Sequence, residues 1–310
     1  MRKSSWFKKT ISVMCLTLLP QASQAAYQTV SQFGDNPGQL SAELYRPDTA
    51  NQTLVVLLHG CAQQGKDLAR QSGLLQLATD KHFSLLVPQQ NGKNNIKACF
   101  NWFSSQDTAK NSGESLSLYN LINQVKTNHD IDTINIVGLS AGGAMVSVML
   151  ANYPELFAAG AIIAGLPYGC ANDLIKAIAC MKSGPKDSVS ALTQLMRNNH
   201  DKTVRWPKIS IWQGTKDAIV NPNNALFMAQ QWVALNADAQ QKSVIKNANH
   251  KTIQWKNDKG ETTVQLVQLD QLGHGMPVKP NDSGTGGTLA PFVLQSPLAA
   301  GITLVDVWGL

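Results

Sequence analysis

What is missing from this sequence narrows its reading first. No stretch near the N-terminus reaches the ~20 apolar residues a membrane-spanning helix needs; the run Thr10 to Leu19 is about half that length. No two cysteines have Cys-x-x-Cys spacing and no His-Glu-x-x-His occurs, so the common zinc patterns are absent. No repeats and no inter-domain linker are visible. The chain also lacks a strong charge of either sign once its first 25 residues are set aside. That leader carries Arg2, Lys3, Lys8 and Lys9 and no acid, and the remainder holds 22 basic against 20 acidic residues, a net +2. A basic nucleic-acid footprint is therefore not expected.

The leader itself has the order of a secretory signal peptide. A basic start and a short apolar run are followed by Ser23-Gln24-Ala25, small at the positions a signal peptidase reads, with cleavage expected after Ala25. Cys15 follows Met14 rather than a small residue, which argues against a lipoprotein anchor. The expected protein is thus secreted or periplasmic, without a stable membrane anchor, and monomeric. Four cysteines remain after cleavage, Cys61, Cys99, Cys170 and Cys180. An even count in an exported chain suggests two disulfides among three possible pairings, with four free thiols as the alternative. Cys61–Cys99 and Cys170–Cys180 are favoured, the second because it closes a short local loop.

Residues 26–310 read as one domain. Tyr27 to Phe33 and Gln39 to Tyr45 resemble an edge hairpin. Leu54-Val55-Val56-Leu57-Leu58 is a continuous apolar run of strand length, as expected in a sheet covered on both faces. Asp67 to Asp80 reads as a helix, Phe83 to Pro88 as a buried strand, and Glu114 to Asn128 as an amphipathic helix with Leu116, Tyr119, Ile122 and Val125 on its stripe. Further strands follow at residues 133–137, 160–164 and 208–213, with a helix over 222–235, two alternating strands within 245–270, and a closing helix over 298–308. Residues 165–205 form a long excursion suited to a cap or substrate wall. Strands alternating with helices give an α/β protein with a doubly wound, mostly parallel sheet and helices on both faces.

The chemistry gathers around Gly138-Leu139-Ser140-Ala141-Gly142, where an apolar strand ends and a run of small residues opens a helix. In that context Gly-x-Ser-x-Gly is a nucleophile elbow, and on its own it is a Gly/Ser-rich turn. A serine hydroxyl is a poor nucleophile until a base takes its proton, and the base needs an acid to fix its tautomer. Asp217 and His274 each sit just past a strand and follow Ser140 in chain order, as an α/β-hydrolase triad requires. Asp173, Asp187 and Asp270 compete for the acid; only Asp217 has the strand–turn–acid arrangement. His59, before Gly60-Cys61, reads as a loop organiser; His82, His129, His200 and His250 read as surface residues. Backbone N–H groups of Ala141 and Cys61 are the expected oxyanion donors. Trp102 and Phe103 are candidates for an apolar wall at the acyl group or, alternatively, for the core.

Taken together, Leu57-Leu58-His59-Gly60-Cys61, Asn101-Trp102-Phe103, Gly138 to Gly143, Tyr168-Gly169-Cys170, Trp212-Gln213-Gly214 with Asp217, and Gly273-His274-Gly275-Met276-Pro277 resemble the poly(3-hydroxybutyrate) depolymerase catalytic-domain family. Feruloyl and acetylxylan esterases share that family. The resemblance implies an α/β-hydrolase fold, nucleophile Ser140, acid Asp217, base His274, an ester or polyester substrate, and no cofactor or metal. Tyr168 and Trp212 are candidates for a substrate pocket. Extracellular polyester depolymerases of this type usually carry a linker and a substrate-binding domain. Neither is visible before Leu310, which predicts soluble oligoesters, amorphous polyester or small esters as substrates. Feruloyl or acetyl-xylan ester hydrolysis is the alternative. A serine peptidase and a binding protein on an inactive scaffold are the other classes. The complete Ser–Asp–His set argues against the binder. Against the peptidase, the sequence shows no propeller-like second domain and no run of acids placed to hold a peptide amino terminus.

Overall fold

The computed structural model describes residues 26–310 apart from 202, 237, 238 and 240. The expected signal peptide therefore lies outside the described residues. In chain order the strands are β1 (Tyr27–Thr29), β2 (Ser41–Tyr45), β3 (Thr53–Leu58), β4 (Ser84–Gln89), β5 (Thr133–Leu139), β6 (Ala159–Ile163), β7 (Lys208–Gly214), β8 (Gln241–Lys246), β9 (His250–Lys256), β10 (Thr262–Leu269), β11 (Met276–Val278) and β12 (Val293–Gln295). The helices are α1 (Gly65–Gln71), α2 (Leu74–Lys81), α3 (Ser105–Thr108), α4 (Gly113–Asn128), α5 (Ala141–Asn152), α6 (Leu174–Ser183), α7 (Val189–Arg197), α8 (Asn223–Leu235) and α9 (Ala300–Trp308).

Ten strands form one sheet in the order β1-β2-β4-β3-β5-β6-β7-β10-β9-β8, and β11 and β12 make a separate ribbon. From β4 to β10 every neighbouring pair is parallel; β1, β2, β8 and β9 extend the edges antiparallel. This is the α/β-hydrolase arrangement. Because β4 lies on one side of β3 and β5 on the other, the chain reverses direction at the β3/β5 boundary. The loops leaving those two strands diverge and open a crevice at their carboxyl ends.

The continuous apolar run in β3 serves two layers because strand side chains alternate. Leu54, Val56 and Leu58 join a core with α4, α5 and α8, while Val55 and Leu57 pack with α1, α2 and α9. Helix α5 is buried along its whole length, which explains its Gly, Ala, Val and Met composition. Its one hydroxyl inside that layer, Ser147, donates to the Leu166 carbonyl at 2.7 Å.

Local differences from the sequence reading have physical causes. The single helix expected over 67–80 is two, broken at Gly73, whose φ is +80° and whose position would put a Cβ 2.1 Å from the Thr285 carbonyl oxygen. A loop from the far end of the chain crosses there, which local periodicity cannot register. In α4 the buried face runs through Glu114, Leu118, Leu121, Ile122 and Val125, while Leu116 and Tyr119 are only half-buried. The exposed edge strand β8 lacks alternation because nearly all of it faces solvent.

The disulfides are Cys61–Cys99 and Cys170–Cys180, with sequence separations of 38 and 10. No helix of the described residues is long and apolar enough to cross a membrane. Chain-entropy loss in the unfolded state predicts unequal contributions. Replacing Cys61 and Cys99 together by Ala should cost about 4 kcal/mol, and replacing Cys170 and Cys180 about 3 kcal/mol. Urea unfolding of both double variants checks the ranking, and a more damaging loss of the short 170–180 bridge would contradict it.

Candidate active site

Ser140 ends β5 and begins α5 with φ 57° and ψ −119°, a conformation an L-residue adopts only under constraint. The constraint is close approach on both sides. A Cβ at Gly138 would lie 2.4 Å from the Gly142 carbonyl oxygen, and one at Gly142 would lie 2.4 Å from that of Leu58. With no side chains there, β3, β5 and α5 close on one another. The Ser140 N–H is anchored by the Ile163 carbonyl at 2.9 Å.

Asp217 follows β7 and His274 follows β10. The two loops are laced together: Thr215 N–H donates to Leu269 O and Lys216 N–H to Leu272 O, each at 2.9 Å. Gly214 makes room, since a Cβ there would sit 2.3 Å from Leu272 O. The histidine loop is backed by the β11–β12 ribbon, where Met276 N–H donates to Phe292 O at 2.8 Å. The result brings three distant side chains into line. His274 Nδ1 lies 2.7 Å from Asp217 Oδ2, and its Nε2 lies 2.8 Å from Ser140 Oγ.

Asp217 is buried and well supplied with donors. Its Oδ1 accepts from the Ile219 and Val220 N–H groups at 2.9 Å each, and Oδ2 accepts from Gln213 Nε2 at 2.9 Å. Burial pushes this carboxyl up, but the hydrogen bond and charge of His274, with the two backbone donors, outweigh it and hold the group below the usual carboxylate range. An ionised Asp217 can only accept, so His274 Nδ1 carries a proton and donates. In the neutral ring, Nε2 is then free to accept from the Ser140 hydroxyl.

Ala141 is the first residue of α5 and has no carbonyl one turn earlier for its N–H. Gly60 and Cys61 line, with Gln63, Leu139, Ser140, Met181, Ile219, His274 and Phe292, a cavity of about 170 Å³. A larger depression of about 720 Å³ lies where β6, β7 and β10 begin, beside Trp206 and Lys259, and contains none of the three aligned side chains. Among the described residues no cluster of three or more His, Cys, Asp or Glu is placed to hold a metal ion.

Of the aromatic candidates for the pocket, none lines this cavity. Trp212 is wholly buried in the α1–α2–α9 layer, its indole N–H donating to Ser210 Oγ at 2.9 Å, because strand alternation turns it away from the loop end. Trp102 is buried and meets Phe103 edge-on with ring centroids 5.5 Å apart; Phe103 is half-buried against the same core. Tyr168 is half-buried, and its hydroxyl accepts from Asn199 at 3.4 Å. The cavity walls are instead Met181 from the 165–205 excursion, Ile219 two residues past Asp217, and Phe292 from the loop between β11 and β12. Ile219 and Phe292 are single apolar residues in loops, and Met181 is near the end of a short helix, so no one periodic pattern links the three. Gln213 was visible as a motif residue, but its bond to Asp217 needed the turn geometry.

The depressed Asp217 pKa has a consequence for folding. A carboxylate whose folded pKa lies below its unfolded value near 3.9 contributes stability that is complete above about pH 5 and lost as the pH falls through the folded value. The unfolding free energy of the wild type should therefore decline on acidification more steeply than that of Asp217→Asn. Denaturant titrations at neutral and acid pH read the difference, and parallel curves would show that Asp217 is not held ionised by its partners.

Comparison with known proteins agrees with this architecture. The family described as Esterase PHB depolymerase matches residues 40–252. Poly(3-hydroxyalkanoate) depolymerase C of Paucimonas lemoignei is 34% identical over 322 residues, covering 99% of this chain and 76% of that protein. Feruloyl esterase B of Talaromyces funiculosus is 26% identical over 230 residues, covering 70% and 64% respectively. The solved acetyl xylan esterase from Aspergillus awamori superposes with a TM-score of 0.72 at 22% identity, covering 80% of this chain and 94% of that one, and attests to the shared fold. With the family matched over most of the chain and a named depolymerase aligned along nearly all of it, the protein belongs to the PHB depolymerase esterases, a family of carboxylic ester hydrolases.

Proposed function

We propose that this protein is an exported serine esterase that cleaves short hydroxyacyl polyester or oligoester bonds through an acyl-enzyme. The observation that carries the reading is the Ser140–His274–Asp217 line of hydrogen bonds opening into a small apolar cavity. Ser140 Oγ attacks the ester carbonyl carbon as His274 Nε2 takes the hydroxyl proton. Negative charge developing on the carbonyl oxygen is met by the Cys61 and Ala141 N–H groups. The carbon–oxygen bond to the alcohol breaks, and the alcohol leaves with the proton from His274. Water then attacks the acyl-enzyme, gives its proton to His274, and releases the acid as Ser140 regains its hydrogen. Asp217 keeps the imidazole oriented and stabilises its charged form. Export to the periplasm or medium rests on the leader sequence and suits a chain with two disulfides.

The walls favour an aliphatic chain over a flat phenolic ring. Met181 belongs to α6, and Ile178 and Leu174 follow it on one face of that helix at a spacing of three and four residues. Leu174 and Ile178 are 58% and 50% exposed, an unusual outlay of apolar surface. The stripe runs ~10 Å from the cavity wall along the helix, far enough for the next repeat units of an oligoester to lie on it. The polyester depolymerase relative supports this substrate class; the feruloyl and acetylxylan esterases support the alternative.

The test is a competition. A 3-hydroxybutyrate oligomer should exceed methyl ferulate and acetylated xylo-oligosaccharide in kcat/KM, and Ser140→Ala should lose at least about a thousandfold in kcat without losing its fold. A hundredfold preference for methyl ferulate, about 2.7 kcal/mol of transition-state discrimination, would replace the polyester reading with the feruloyl one. Replacing both Leu174 and Ile178 by Ser should leave hydrolysis of p-nitrophenyl acetate unchanged. It should lower kcat/KM for a tetramer of 3-hydroxybutyrate about tenfold, the worth of one to two buried methylenes. Equal effects on the two substrates would remove the stripe from the binding site.

A further inference from the structure

A second buried carboxyl group lies behind the site and has no part in the proton transfers described above. Glu114, in the first turn of α4, is wholly inaccessible to solvent. Three amide donors converge on it. Asn101 Nδ2 and Gln90 Nε2 both donate to Oε1, the former at 2.8 Å, and the Asn101 backbone N–H donates to Oε2 at 2.8 Å. The charged group beside it is another acid, Asp107, whose Oδ1 accepts the Glu114 N–H at 3.3 Å. Burying a carboxyl without a cation is costly. Burial pushes the Glu114 pKa up to about 8, against the pull of its amide donors.

The contacts lead from Glu114 to the candidate oxyanion loop in short steps. Gln90, tied to Glu114 by its side chain, donates its backbone N–H to His59 Nε2 at 3.1 Å. That bond fixes the tautomer: Nε2 accepts, so His59 Nδ1 carries the hydrogen and donates to the Gly60 carbonyl at 2.7 Å. His59 is fully buried, and burial lowers its pKa, which keeps the ring neutral. The peptide unit is planar and trans, so the Gly60 carbonyl and the Cys61 N–H point in opposite directions. With the carbonyl drawn inward onto His59, the Cys61 N–H is turned outward, on the side where Gly60 and Cys61 line the cavity. A second route runs through Asn101, two residues past Cys99, whose disulfide partner is Cys61 itself. Both ends of the loop are therefore referred to one carboxyl group.

We propose that Glu114 is a positioning residue for catalysis: acting through Gln90 and His59, and through Asn101 and the Cys61–Cys99 bridge, it sets the orientation of the Cys61 N–H toward the ester oxygen. The assignment rests on the serine esterase reading. It explains why Gln90 is saturated on every side. Its Oε1 accepts from Asn91 N–H at 2.9 Å and Asn94 Nδ2 at 3.0 Å, leaving its amide hydrogens for Glu114.

Assayed above its pKa of about 8, Glu114 is ionised and has two acceptor oxygens; Glu114→Gln keeps the shape but offers one, and sets an amide donor against the Asn101 or Gln90 donors. Because an oxyanion donor acts on the transition state rather than on bound substrate, kcat should suffer and KM should not. With p-nitrophenyl butyrate, Glu114→Gln is expected to lose about tenfold to a hundredfold in kcat with KM within about threefold of wild type. Affinity for a butylboronic acid, which forms a tetrahedral adduct on the serine, should weaken by a similar factor. Gln90→Met cuts the first of the two routes while leaving the carboxyl and its Asn101 contacts in place, and should give part of the same loss in kcat with KM likewise unchanged. The double variant should fall no lower than the poorer single one. If Glu114→Gln lowers Tm but leaves kcat and boronate affinity within threefold, Glu114 is only a core residue and the proposal fails. It fails equally if the two losses multiply. Failure of the underlying reading would look different: Ser140→Ala would stay active and the boronate would not inhibit the wild type.

Discussion

The backbone of Ser140 is the constraint on which the rest of this molecule depends. A φ of 57° for a serine is strained by about 1–3 kcal/mol, and it persists only because the surroundings leave no alternative. Gly138 and Gly142 allow β3, β5 and α5 to approach within distances no side chain would permit. The apolar residues of β3 and β5 then press that arrangement from two layers at once, Ile134 and Ile136 into one and Val137 and Leu139 into the other. Strain at one residue is thus held by burial distributed over the centre of the sheet.

Topology converts that strained turn into a site. The strand order reverses between β3 and β5, so the loop bearing Gly60 and Cys61 and the turn bearing Ser140 face one another across a crevice. The acid and the imidazole arrive from β7 and β10, adjacent parallel strands whose following loops share hydrogen bonds. The antiparallel edge strands and the β11–β12 ribbon contribute support rather than chemistry. The ribbon presses Phe292 within 6.1 Å of the His274 ring, edge to face.

Much of this was legible in the residues because it depends on short-range pattern. A strand ending in Gly-x-Ser-x-Gly, an acid and a histidine each placed just past a later strand, and cysteines at a short spacing all carry their meaning within a few positions. What was not legible depends on contacts between distant segments. The break at Gly73 exists because Thr285 crosses it. Trp212 is a pocket candidate by its residue type, but alternation along β7 sends it into the core layer with α1, α2 and α9. Met181 comes from α6 and Ile219 and Phe292 from two separate loops, and the three meet only once the fold is closed. Glu114 read as the polar start of an amphipathic helix, and nothing local distinguishes it from a solvated carboxylate at a helix N-terminus.

The two buried carboxyl groups show how one chemical type takes opposite roles from its surroundings. Asp217 faces a titratable imidazole and two backbone donors, which hold it in its charged form despite burial. In the proposed reaction that charge complements the imidazolium that forms and decays with each acyl transfer. Glu114 faces amides that do not titrate, beside another acid, and burial raises its pKa. A group in that setting cannot exchange protons with Ser140 or His274, because the chain of contacts from it ends on a backbone carbonyl rather than on a hydroxyl. Its influence can reach the ester only as geometry, through the direction of one peptide plane. In the proposed reaction, charge is therefore handled on the His274 side of Ser140 and orientation on the His59 side, and the strained serine turn sits where the two meet.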